Sequence, residues 1–139
     1  MTTYHSDPKT ISSSEEVVFG ILSDLKALEK IKDRFTDQPK LKDLEFGEDY
    51  FSLNLEHVGV IIFKQTEKIA FNTIRYEATN LPMKILAAIH LEAINPEETQ
   101  MKLSVQANLP AMIKVMIGNK LEKALNKLGD MLAMMLKHQ

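Results

Sequence analysis

Four histidines, His5, His57, His90 and His138, and one tyrosine, Tyr76, are the side chains in this 139-residue chain best suited to move a proton or orient a ligand. The histidines stand apart from further ligand-type residues at the spacings a metal site needs. Glu56 and His57 are neighbours, so in a strand they point to opposite faces. His90 and Glu92 share a face, the one opposite Ile89 and Leu91, and their spacing predicts a solvated pair. Tyr76 falls on the inward face by alternation, where its hydroxyl could orient a guest, although a buried tyrosine bonded to backbone is the commoner arrangement. Arg75 and Glu77 read onto the other face, with Lys64 and Lys102 as neighbours across strands, and such exposed pairs contribute little. The chain has no cysteine, which excludes disulfides, thiolate metal sites and a cysteine nucleophile. It also lacks a glycine-rich phosphate loop, a G-x-S-x-G elbow and an H-E-x-x-H string. No catalytic residue, no metal and no cofactor is assigned.

Composition narrows the setting. Hydrophobic residues make up 45% and charged residues 26%, ordinary for a globular protein, and the length is that of one domain, residues 1–139. A net charge of −2 with interspersed signs gives no footprint for nucleic acid. The first residues lack the apolar stretch of a signal peptide, and the longest apolar run, Met131 to Leu136, is too short to span a bilayer. The expectation is a cytoplasmic protein without integral membrane association.

The elements that must position these groups change period along the chain. Residues Thr3 to Ser12 are weakly patterned, with Thr10 and Ile11 the one strand-favouring pair, and Pro8 confines any strand to an edge. Two overlapping capping boxes, Ser12 with Glu15 and Ser13 with Glu16, predict a helix start. A second helical stretch runs from Leu25 to Phe35 and ends before Pro39. From Leu44 the period becomes two. Strands are expected around Leu44–Phe46, Phe51–Leu55, Val60–Thr66, Phe71–Thr79, Lys84–Ile94 and Met101–Leu109, with turns at Gly47-Glu48-Asp49 and Asn95-Pro96. The connections are too short for helical crossovers, so the strands form an antiparallel meander with one apolar face in need of a cover.

That cover is the segment after Pro110. A helix of about 26 residues would reach roughly 39 Å. Ile113, Ile117, Leu121, Ala124, Leu125, Leu128, Leu132 and Met135 form one stripe, opposite Glu122, Lys123, Asn126, Lys127 and Asp130. Met112, Val115 and Met116 fall outside it, which predicts that a neighbouring loop such as Leu81-Pro82-Met83, a ligand or a partner covers the first two turns. Gly118 and Gly129 lie at its flank, where close approach of a strand or bending would explain them.

The stretches Ile11-Ser12-Ser13-Ser14-Glu15-Glu16-Val17-Val18-Phe19, Leu22 through Glu29, and Leu121-Glu122-Lys123-Ala124-Leu125-Asn126-Lys127-Leu128 are similar to segments of the START-like superfamily, also called SRPBCC. It includes polyketide cyclases, lipid-transfer domains and pollen-allergen-type binders, and this chain looks most like its small bacterial members. The resemblance covers nearly the whole chain but rests on fold signals, without catalytic specificity. It implies an α+β helix-grip fold: a curved antiparallel β-sheet wrapped around a long C-terminal α-helix, with two short helices after the first strand and an apolar cavity between sheet and helix.

The function expected on this basis is binding of a hydrophobic or amphipathic small molecule, lipid-like or aromatic. Candidate cavity walls are Phe51, Leu53, Leu55, Phe63, Tyr76, Ile89, Leu103, Val105, Met112 and Met116. Two alternatives stand beside it. A cyclase- or hydrolase-like enzyme of the same fold would need at least two polar groups converging in the cavity. An interaction module, a homodimer or a co-chaperone-like domain, would use the apolar surface at Met112, Val115, Met116, Ala133 and Met134.

Overall fold

A computed structural model of the chain describes residues 2–33, 44–55 and 59–137. Among them β1 (Thr2–His5) and β2 (Lys9–Ile11) precede α1 (Glu15–Leu22) and α2 (Leu25–Asp33). Six strands follow: β3 (Leu44–Phe46), β4 (Tyr50–Leu55), β5 (Gly59–Ile69), β6 (Thr73–Ala78), β7 (Ile85–Asn95) and β8 (Glu98–Ala107). The last element is α3 (Ala111–Lys137), 27 residues long. Every pairing is antiparallel, in the order β1-β8-β7-β6-β5-β4-β3 with β2 also on β8. The sheet curves around α3, and this is the expected helix-grip architecture.

Local chemistry sets the details, and in several places it corrects the sequence reading. The weakly patterned start holds a strand after all, β1, which runs along β8 from Thr2 opposite Ala107 to His5 opposite Ser104. At Ser6 the ladder is kept by a side chain, whose Oγ accepts from Leu103 N at 2.9 Å. Pro8, with no N–H, occupies the break before β2. Neither expected capping box forms. Ser13 N donates to Ile11 O and Ser13 O accepts from Thr99 Oγ1, which ties that residue to the β2–β8 edge. Ser14 is the residue left to cap α1, its Oγ accepting from Val17 N at 3.3 Å. Asp24 caps α2, accepting from Lys26 N and Ala27 N. Phe35 of the expected second helix lies outside the described residues.

β5 is longer than expected, with a register shift between Gln65 and Glu67, and β6 starts at Thr73 rather than Phe71. Phe71 adopts a φ of 61° in the intervening turn and meets Phe19 edge-on at 5.8 Å.

Helix α3 buries Leu125, Leu128, Met131, Leu132, Met135 and Leu136, so its C-terminal half joins the core as the stripe requires. A fully buried leucine contributes about 1.5–3 kcal/mol relative to an exposed one, which makes this half the anchor. Its first two turns stand clear: Met112 is 77% exposed, Val115 85% and Met116 66%. Gly118 and Gly129 do meet the first two strands, but through side chains. A Cβ at Gly118 would lie 3.5 Å from Tyr4 Cε1, and one at Gly129 would lie 3.4 Å from Lys9 Cε, both ordinary contacts. Lys9 Nζ reaches Asp130 Oδ1 at 2.7 Å, and Asp7 N donates to Asn126 Oδ1 at 2.7 Å. These bonds hold the N-terminal strands against the helix.

Candidate ligand cavity

The space between sheet and α3 divides into two chambers that share Leu125 and Leu128 of the helix. Their sheet walls follow from register. Phe51 stands directly opposite Phe63, so the two rings stack at 5.1 Å, and Tyr76 meets Phe51 edge-on at 4.8 Å. This aromatic row runs from one chamber into the other.

The inner chamber holds only about 30 Å³, the share of a single water molecule. Phe51, Tyr76, Ile89 and Leu103 line it from the sheet, and Leu25 and Leu28 close it from α2. The outer chamber is larger, about 180 Å³. Leu53, Phe63 and Val105 form its sheet side, and Ile113, Leu121 and Ala124 its roof. Ala107 and Ala124 are small residues on its wall, and a longer side chain at either would occupy part of the space. The lining residues that also reach solvent, Met83 at 38% and Ile113 at 36%, mark its mouth.

Seven of the ten candidate walls therefore line one chamber or the other. Met112 and Met116 do not: the helix turns them outward into solvent. Leu55 belongs to β4, but its side chain lies outside the described residues. Sequence reasoning missed Leu25 and Leu28 as walls, and it set the Leu81-Pro82-Met83 loop against the first turns of α3 without counting Leu81 and Met83 among the cavity walls. An amphipathic helix behind the sheet and an apolar loop between β6 and β7 were visible signals, but not their position over the cavity.

The chambers contain little that could react. No histidine, carboxylate, lysine or arginine among the described residues lines either one. Tyr76 brings the one phenol, 2% exposed, and burial pushes its pKa up to about 12, partly offset by the Gln65 side chain. It is a neutral hydrogen-bonding group at physiological pH. His90 lies on the outer face of the sheet. Its Nε2 is 3.0 Å from Ser104 Oγ, so its partner is the diagonal neighbour across β7 and β8 rather than Glu92. Lys64 stands opposite Glu77 across the β5–β6 register, as expected, while its Nζ reaches Asp49 at 3.8 Å, and Arg75 pairs with its own cross-strand neighbour Glu67 at 3.5 Å. His57 and His138 lie outside the described residues. Among those described, no group of three His, Asp or Glu could hold a metal ion, and no helix is long and apolar enough to cross a membrane.

No protein-family model matches the sequence, and neither does any curated protein. Solved structures do match in shape. Norcoclaurine synthase from Thalictrum flavum, in complex with dopamine and hydroxybenzaldehyde, is similar over 99% of this chain and 88% of its own, with a TM-score of 0.74 at 12% identity. A START superfamily protein from Mycobacterium smegmatis matches over 94% and 96%, with a TM-score of 0.55 at 17% identity. The Aha1 dimer from Colwellia psychrerythraea matches over 91% and 97%, with a TM-score of 0.55 at 18% identity. At these identities the likeness is one of fold.

Proposed function

The chain has the START-like/SRPBCC fold, and from that premise we propose that it binds a hydrophobic or amphipathic small molecule, with a lipid-like or aromatic body, between the sheet and α3. The observation that carries this reading is the outer chamber. About 180 Å³ lies unfilled between the sheet and α3, and its walls are apolar. A dry cavity of about 150 Å³ is known to be large enough for benzene. A single aromatic ring fits without rearrangement. A longer guest needs the Leu81–Met83 loop or the lightly packed start of α3 to move outward, and would lie along the row from Phe63 to Tyr76. The Tyr76 hydroxyl then supplies the polar end of an amphipathic ligand. The proposed setting is the cytoplasm.

Toluene, followed through methyl chemical shifts, tests the cavity, and native mass spectrometry of gently purified protein tests for a retained guest. Ala124→Phe should fill the outer chamber and weaken toluene binding by about tenfold or more, the loss of roughly 1.4 kcal/mol. Equal binding by the variant and the parent would overturn the proposal.

A second reading rests on a different surface. Met112, Val115 and Met116 project together from the first turns of α3, and a contiguous apolar patch of this kind marks an interface. The partner in this reading is a second copy of the chain. The enzyme alternative draws no comparable support, because no histidine, carboxylate, lysine or arginine among the described residues joins Tyr76 in the cavity walls.

A further inference from the structure

The outer face of the sheet carries a separate recess of about 100 Å³, and register explains its shape. Ala88 on β7 stands directly between Arg75 on β6 and Ser104 on β8, with Leu86 and His90 two residues away on its own strand. A methyl group ringed by four longer side chains leaves a pit. Ser104, 6% exposed, forms one wall with its Oγ on His90 Nε2 at 3.0 Å, and Gln106 extends the rim.

The charge around His90 is one-sided. Burial lowers its pKa first, and Arg75, His5 and Lys102 lower it further, all acting as cations on the same ring. Strands β5, β6 and β7 each bring one carboxylate to this face of the sheet, and Glu45 stands on it farther off, on β3. Glu67 engages Arg75 Nε at 3.5 Å, Glu77 stands opposite Lys64, and Glu92 stands opposite Gln100. Among the described residues only Glu67 touches a cation of the pit, and its contact at Arg75 Nε leaves the terminal N–H groups of the fork to another acceptor.

We propose that this pit binds a small oxyanion, a carboxylate or inorganic phosphate, held by the Arg75 guanidinium, the His90 ring and the Ser104 hydroxyl. The His90–Ser104 hydrogen bond gives the arrangement its direction. A protonated His90 donates from Nε2 to Ser104 Oγ, and the hydroxyl hydrogen is then free to point at the anion. An anion here offsets the repulsion among Arg75, His5, Lys102 and His90, so its binding takes up a proton and tightens as pH falls. Leu86 supplies an apolar wall suited to the short chain of a carboxylate.

The test is the ring NMR signals of His90 during titration with inorganic phosphate and, separately, with butyrate. A saturable shift with either, accompanied by a raised His90 pKa, is the expected result. Arg75→Gln should weaken the effect about tenfold, as loss of a charge-assisted pair does. Ser104→Ala should weaken it as well, and Lys127→Gln on α3 should leave it unchanged. Response to phosphate alone identifies phosphate as the ligand, and tighter binding of butyrate than of acetate assigns the Leu86 wall. The absence of a saturable shift at His90, or equal affinity in Arg75→Gln and the parent, overturns the proposal.

Discussion

Tyr76 combines a place in the cavity wall with a perturbed titration. Its pKa rises from 10 to about 12 because burial disfavours the phenolate. Between those values the unfolded chain releases a proton that the folded one retains, so stability falls as pH climbs from 10 towards 12. Tyr76→Phe should lose that part of the alkaline decline, measured by urea unfolding across the range. His90 works at the other end of the scale. Its folded pKa lies below 6.5, so below that pH the unfolded chain binds more protons and stability is lost until the folded pKa is passed. His90→Gln should flatten this acid limb and leave stability above pH 7 with no pH slope from this site. The inward position of Tyr76 was legible from alternation alone. The His90–Ser104 pair was not, since it depends on how two strands align across a turn, and alternation reports face without partner.

At the scale of elements, capping gives the sharpest contrast. Ser14→Ala should destabilise the protein by about 1 kcal/mol, the usual loss of an N-cap, while Ser12→Ala should leave α1 capped. Denaturant midpoints of the two variants check this. Strand periods, turn residues and the length of α3 were all readable, because each is a local pattern repeated several times. The start of the chain was not. β1 has only four residues, and its ladder is continued by a serine side chain, so its pairing comes from β8 rather than from its own composition. From Leu121 to Met135 the stripe on α3 was read correctly; the side chain of Ile117 lies outside the described residues. Met112 and Met116 fall outside that stripe on the helical wheel and do point into solvent, so the wheel was right about them and their place among the cavity walls was not.

For the molecule as a whole, the antiparallel layer with one helix across it could be inferred from element order. The division of the enclosed space could not, since it depends on which side chains fall short: Ala107, Ala124 and their neighbours leave a gap that hydrophobicity alone does not report. Self-association also belongs to this scale. If a second copy covers the start of α3, the light-scattering mass should rise with concentration towards twice that of one chain, and Val115→Glu should prevent the rise. A mass of one chain throughout would remove the dimer reading.

The bonds between Ser6 and Leu103 span 97 positions, and they have a consequence in time. At about 5–20 residues per second on the ribosome, the opening strand emerges roughly 5–20 s before its partner exists. It spends that interval as an unclaimed edge, the kind that recruits neighbouring nascent chains. Its brevity and the proline that follows it are what let it wait safely.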